Sequence, residues 1–155
     1  MQDRSTLGSA DHQGFTLMEV IVTMMVIAIL SAIAIPNYTA YVQRGYRSEA
    51  KSMLLAAAQW QQRFRTETNA YALAATGLPV GMDVVPATGA ARYNVTIEDP
   101  PPVVGGFRLL ATPVGAQAGD ECGVFRVDHL GARSVVIATV PYTGGSAEVT
   151  RCWGR

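Results

Sequence analysis

One long run of apolar residues lies close to the amino terminus. Of the 21 residues from 15 to 35, 17 are apolar, and a polar stretch at residues 1–14 precedes them. As an α-helix rising about 1.5 Å per residue, the run would span roughly 31 Å, which matches the hydrocarbon core of a bilayer. The pattern therefore predicts a membrane-spanning helix at residues 15–35.

Beyond Pro36 the apolar positions become periodic. They recur at spacings of three and four residues up to Arg65, which is typical of an amphipathic helix. One helix over residues 15–65 is therefore predicted, with a kink at Pro36, because proline lacks the amide hydrogen that the preceding turn needs. Five residues on one side of this helix are expected to pack on a sheet: Tyr46, Met53, Ala57, Trp60 and Phe64.

The second half of the chain consists of short stretches rich in β-branched and aromatic residues. Glycine and proline separate these stretches, which predict about four antiparallel strands at residues 92–98, 106–112, 122–128 and 132–139. The apolar positions in residues 66–91 follow neither the helical nor the strand period, which indicates a connector from helix to sheet. The predicted fold class is α+β, with a long N-terminal helix packed on an antiparallel sheet.

The charges balance over the whole chain. Twelve Lys and Arg face twelve Asp and Glu among 155 residues, so the chain lacks the positive field of a dedicated nucleic-acid binder. The amphipathic helix carries a local positive excess. We expect it to form a solvated face with some contact to other subunits; phospholipid headgroups near Arg44 and Arg47 are the alternative. The basic residues are Arg44, Arg47, Lys51, Arg63 and Arg65.

Motifs for catalysis and for metal binding are missing from the sequence. It contains no glycine-rich phosphate loop, no His/Cys cluster and no nucleophile elbow. We predict no catalytic residue, no metal and no cofactor, and thus no enzyme. The pairs Glu98-Asp99 and Asp120-Glu121 match no calcium loop and are expected to be solvated strand ends.

Glu19 is the one charged residue inside the apolar run, and three interpretations of the run treat it differently. A secretory signal peptide cut after Ala34 would be unusually long, and an ordinary membrane anchor leaves the carboxylate unexplained. No Lys, Arg or His lies between Phe15 and Ile35. The third interpretation is cleavage between Gly14 and Phe15, which would create a new amine that could pair with Glu19 of a neighbouring subunit.

The segment Gly14-Phe15-Thr16-Leu17-Met18-Glu19, followed by the apolar run and Pro36, resembles the class III prepilin signature of type IV pilins and type II secretion pseudopilins. The resemblance implies that a membrane peptidase cuts after Gly14 and N-methylates Phe15. It also implies that Glu19 pairs with the terminal amine of the neighbouring subunit during filament assembly. In such a pair each ion has a counter-ion, so neither charge is buried alone in a low dielectric.

Cys122 and Cys152 are the two cysteines of the chain. Everything after the membrane run is expected to lie outside the cytosol, where oxidising conditions favour a structural disulfide between them. The residues from Asp120 to Gly131, together with Arg151-Cys152-Trp153, also resemble the C-terminal half of minor type IV pilins of the E type.

The sequence thus predicts a minor type IV pilin made as a precursor. A leader at residues 1–14 is removed, residues 15–65 form the long helix with its assembly segment, and residues 66–155 form an extracytoplasmic domain. The expected location is the inner membrane before assembly and the extracellular pilus afterwards. The expected partners are other pilin subunits, the prepilin peptidase, the inner-membrane assembly machinery and membrane lipid, and the outcome could be motility or adhesion.

Three other functions stay open at this stage. A DNA-uptake pilin would contact duplex DNA through basic residues, although residues 66–155 hold six basic and eight acidic groups. The others are a pseudopilin of a secretion system and a periplasmic enzyme released at Ala34. The candidate DNA contacts are Arg126, Arg133, Arg151 and Arg155.

Overall fold

The computed structural model describes residues 14–154. The chain divides into two compact units, of which the first ends at Thr39 and the second begins at Ala40. Of the predicted leader, only Gly14 lies among the described residues, and the candidate DNA contact Arg155 also lies outside them. The element order along the chain is a long helix, six strands with one short 3-10 turn between the third and fourth, and a short final helix.

Helix α1 spans Leu17–Thr68, close to the predicted 15–65. It ends where Asn69 adopts a left-handed conformation with φ of 63°, and the Asn69 amide donates to the Arg65 carbonyl. Pro36 lies inside the helix, which continues through it; a kink there stays a prediction. All described residues before Thr39 except Ser31 are exposed, and α1 is long and apolar enough to cross a membrane by length and composition.

The sheet has six strands in sequence order, each antiparallel to its neighbours. The four predicted strands are confirmed, but the predicted number is too low. The two additional strands lie at the edges and have two and three residues, too few to show an alternating pattern. The strands are β1 Val84–Val85, β2 Tyr93–Ile97, β3 Arg108–Pro113, β4 Val124–Asp128, β5 Arg133–Ile137 and β6 Val140–Tyr142.

The core lies between one side of α1 and one face of the sheet. Alternate residues of the strands point inward, as in β2, where Tyr93, Val95 and Ile97 are buried and the residues between them are exposed. The predicted helix side does pack here, but its centre is formed by small residues and one leucine. Ala50, Leu54 and Ala57 are fully buried, whereas Tyr46, Met53, Trp60 and Phe64 are half-buried at the edge of the core.

The segment after β6 forms a second helix, α2, at Ala147–Trp153, which the sequence pattern did not reveal. Ser146 caps it by accepting a hydrogen bond from the Val149 amide at 3.3 Å. The buried Trp153 donates through Nε1 to the Ser134 carbonyl at 3.1 Å. A disulfide joins Cys152 of α2 to Cys122, with 5.7 Å between their Cα atoms, as predicted. Cys122 precedes β4 rather than starting it, because Gly123 turns the chain with φ of 58°.

Replacing both cysteines with serine should lower the free energy of unfolding by about 3–4 kcal/mol, because the loop that the disulfide closes is free to expand in the unfolded chain. The sequence separation of 30 residues fixes the size of that loop. Thermal unfolding of the full chain in mild detergent, with and without reductant, measures the change. Equal stability of the oxidised and reduced wild-type chain would contradict this prediction.

Candidate functional site

The predicted processing site lies just before α1. Gly14, Phe15 and Thr16 are outside the helix and exposed, so the Gly14–Phe15 peptide bond is accessible. Phe15 is 82% exposed. A peptidase needs an accessible stretch of backbone that is not helical, and this segment provides one.

Thr16 and Glu19 form the start of α1. The Glu19 amide donates to the Thr16 hydroxyl at 3.2 Å and to the Thr16 carbonyl at 3.1 Å. A threonine cap with glutamate three residues later is the sequence pattern of a capping box, a signal that the spacing of Thr16 and Glu19 carries in the sequence. Glu19 therefore lies in the first turn of the helix, where the helix dipole favours a negative charge. Its side chain is exposed, and no basic residue occurs between Gly14 and Thr39.

A buried polar network lies under the disulfide, around Asp120. Oδ2 of Asp120 accepts hydrogen bonds from Arg47 Nε at 2.7 Å and from the Tyr93 hydroxyl at 2.8 Å, as well as from Gln117 Nε2. Oδ1 accepts from the Cys122 amide at 2.7 Å. The Asp120 side chain is fully buried. The expectation of a solvated strand end is therefore wrong for Asp120, because four donors from three parts of the fold converge on it.

Arg47 connects this network to the surface. Its Nη1 donates to Glu121 Oε1 at 3.0 Å, and 13% of its side chain is exposed. Burial acts to lower the pKa of Arg47, but the hydrogen bonds and charges of Asp120 and Glu121 outweigh burial and raise it. Arg47 therefore stays protonated and joins α1 to the disulfide region.

Lys51 is buried, which corrects the expectation of a solvated charge. Its Nζ donates to the Cys152 carbonyl at 3.2 Å and, more weakly, to the Trp153 carbonyl at 3.5 Å. These carbonyls close helix α2, where a cation is favoured by the helix dipole. Burial lowers the pKa of Lys51, and the charges of Arg47 and Arg133 lower it further.

The alkaline pH dependence of stability should report on Tyr93. Burial raises the pKa of Tyr93, and the hydrogen bond to Asp120 raises it further. Because an unfolded tyrosine ionises at about pH 10, Tyr93 keeps its proton to higher pH in the folded chain, and its contribution to the free energy of unfolding falls as pH rises. The lowered pKa of Lys51 contributes with the opposite sign. Tyr93→Phe should make the slope of the unfolding free energy against pH less negative, whereas Tyr41→Phe, at an exposed position, should leave it unchanged. Thermal unfolding between about pH 9 and 12 measures both slopes; identical slopes for wild type and Tyr93→Phe would contradict the prediction.

The candidate DNA contacts do not form one open basic stripe. Arg126 lies 3.7 Å from Glu98, Arg151 lies 3.6 Å from Glu121, and Arg133 stacks on the Trp153 ring at 5.3 Å. In the pairing of β4 with β5, Arg126 lies opposite Ser134, so these two side chains share one face of the sheet. Arg133 is the neighbour of Ser134 along β5 and therefore lies on the other face. Each of these three arginines faces an acid or an aromatic ring.

Comparison with known proteins places these features in a family. A family model described as "Type IV minor pilin ComP, DNA uptake sequence receptor" matches residues 36–126, and one described as "Prokaryotic N-terminal methylation motif" matches residues 10–35. The type IV major pilin protein PilA of Myxococcus xanthus (strain DK1622) is 42% identical over 60 residues, which are 39% of this chain and 27% of that protein. The chain thus matches about a quarter of this relative's length.

A solved structure, the high-resolution structure of a type IV pilin from Shewanella oneidensis, is 25% identical to this chain. The match covers 59% of this chain and 89% of that chain, with a TM-score of 0.43. The methylation motif and the exposed apolar part of α1 fit a protein that is anchored in the inner membrane and then assembled into an extracellular filament.

Proposed function

This chain belongs to the type IV minor pilin family ComP, and we propose that it is a minor subunit of a type IV pilus whose assembly depends on cleavage of its leader. The observation that carries the proposal is the start of α1. An accessible Gly14–Phe15 bond precedes a capped helix whose first turn presents Glu19, and no basic residue occurs in the described stretch from Gly14 to Thr39.

Each residue of this segment has a separate role in the proposal. The prepilin peptidase cuts after Gly14 and methylates the amine of Phe15. That amine then pairs with Glu19 of a neighbouring subunit while the apolar side chains of α1 pack against other helices of the filament. Before cleavage the amine does not exist, so the Glu19 carboxylate has no partner and packing would bury an uncompensated charge.

The proposed role is structural. The partners are other pilin subunits, the peptidase and the inner-membrane assembly machinery, and the surrounding lipid holds the precursor until assembly. The match to a minor pilin model over residues 36–126 supports a pilus subunit over a secretion pseudopilin.

The mass of the amino-terminal peptide tests this proposal. We expect chains from sheared surface filaments to begin with N-methylated Phe15, and chains from a peptidase-deficient strain to keep residues 1–14 and stay in the membrane. A chain that begins at Ile35, or an uncut chain in the filaments, would reject the proposal.

DNA binding is the second candidate function, because the matched family model describes a DNA uptake sequence receptor. The arginines described above are engaged by acids or aromatic rings, so binding to DNA would require them to exchange these partners for phosphate. If the chain binds duplex DNA, its affinity should fall steeply with salt concentration, because phosphate contacts release counterions. Retention of duplex DNA over a salt series measures this, and no retention at low salt would exclude the function.

A further inference from the structure

An open cavity of about 560 Å³ lies between α1 and the disulfide. One wall is the exposed side of α1 after Ala40, and the opposite wall is formed by the residues around Cys122 and Cys152. Six of the side chains that line the cavity are polar or charged. They are Gln43, Arg44, Arg47, Ser48, Glu121 and Arg151.

The cavity is positively charged. Three arginines and one glutamate line it, and the second carboxylate of the region, Asp120, is fully buried behind Arg47. Arg47 cannot move far because Asp120 holds its Nε at 2.7 Å and Glu121 holds its Nη1 at 3.0 Å. Asp120 offsets the charge of Arg47, so three arginines less Glu121 and Asp120 leave the region a net charge of +1. Arg151 is tied only loosely, at 3.6 Å from Glu121, and half of its side chain is exposed.

These side chains suit one chemical class. Guanidinium groups bind phosphate oxygens in pairs of parallel hydrogen bonds, and three of them face this cavity. Glu121, Ser48 and Gln43 offer acceptors for hydroxyl groups beside the phosphate. The volume suits a small polar group, whereas a DNA duplex requires an extended positive surface. The lining therefore matches a phosphodiester that carries a hydroxylated substituent.

The position of Arg44 indicates where this phosphate comes from. Its Nε donates to the Ala40 carbonyl at 3.1 Å, so the guanidinium lies level with Ala40. Ala40 follows Ile35, the last residue of the apolar run, by only five positions in the sequence, so the sequence keeps it near the end of the predicted membrane span. A headgroup layer is roughly 5–8 Å thick on each side of the hydrocarbon core. Exposed Tyr38 and Tyr41 lie in the same stretch, as is typical of a membrane interface.

We propose that this cavity binds the phosphate of an anionic phospholipid headgroup while the chain is anchored in the membrane before assembly. The proposal rests on the membrane-anchored stage of the proposed function and adds a specific lipid contact to it. Arg44 and Arg151 donate to the phosphate oxygens, Arg47 fixes the wall of the cavity through Asp120 and Glu121, and Glu121 accepts from the headgroup hydroxyls. Entry into the filament then requires release of this lipid.

Native mass spectrometry of the full chain can test the proposal. The chain is inserted into nanodiscs of phosphatidylcholine with or without phosphatidylglycerol and released into mild detergent, and retained lipids are counted. We expect one phosphatidylglycerol per chain and no comparable retention of phosphatidylcholine. Arg44→Gln and Arg151→Gln should each lower retention by about tenfold, the effect of losing one charge-assisted hydrogen bond.

Arg63→Gln is the matched control, because Arg63 is an exposed arginine of the same helix outside the cavity. Unchanged retention in the Arg44 and Arg151 variants, or an equal loss in Arg63→Gln, would overturn the proposal. Displacement of the lipid by millimolar inorganic phosphate would assign the site to free phosphate, and displacement by a DNA duplex would assign it to DNA. Recovery of each variant in nanodiscs is scored separately, so failure to insert is distinguished from failure to bind.

Discussion

Glu19→Gln should leave the precursor in the membrane and nearly remove it from sheared filaments. The amide keeps the helix-capping ability of the side chain but lacks the charge, so the amine of the neighbouring subunit would be buried without a counter-ion. Loss of one partner from a buried ion pair costs about 3–5 kcal/mol, or a hundredfold or more in incorporation. Immunoblots of membrane and filament fractions measure the ratio.

Glu49→Gln provides the control, since Glu49 is an exposed glutamate farther along α1. This variant should enter filaments at the wild-type level. Leader cleavage should proceed in both variants, which separates processing from assembly. Filament content of Glu19→Gln equal to that of Glu49→Gln would show that the carboxylate has no role in subunit pairing.

Arg47→Met should destabilise the domain strongly. The substitution leaves the Asp120 carboxylate fully buried without its cation, and such a loss costs about 3–5 kcal/mol. Tyr93, Gln117 and the Cys122 amide still donate to the carboxylate, but none of them neutralises its charge. Thermal unfolding of the full chain in mild detergent gives the difference from wild type.

The double variant Arg47→Met with Asp120→Asn separates charge from packing. An amide in place of the carboxylate removes the uncompensated charge, so the double variant should be more stable than Arg47→Met alone. Arg63→Met, at an exposed position of α1, should change stability by less than about 0.5 kcal/mol. A double variant no more stable than Arg47→Met would mean that the arginine acts through packing.

Patterns that extend over many residues made much of this fold predictable. The apolar run and the periodic positions after it gave α1 to within three residues at either end, and alternation gave the four central strands. The cysteine pair followed from the expected compartment. The two edge strands were missed because Val84–Val85 and Val140–Tyr142 are too short to show an alternating pattern. Only their hydrogen bonding to the neighbouring strands, β2 and β5, defines them.

The buried charges could not be predicted, because their partners are distant in the sequence. Arg47 and Asp120 are separated by 73 residues, and Lys51 and Cys152 by 101. Lys51 occupies a position next to Ala50 that any helical pattern assigns to the edge of the buried side, and only the carbonyls of α2 explain its burial. In contrast, the capping box at Thr16 and Glu19 was visible in the sequence and could have been found from its spacing alone.

The strand order has a consequence for how the domain would fold during the proposed export. Because each strand pairs with the next one along the chain, the hairpins can close in turn as the polypeptide emerges from the translocation channel. The contacts of α2 differ, since they return to Lys51 and Cys122 over long stretches of chain. If the domain is exported as proposed, its folding stays incomplete until residues 147–153 have crossed the membrane, because the disulfide and the contacts of α2 need these residues.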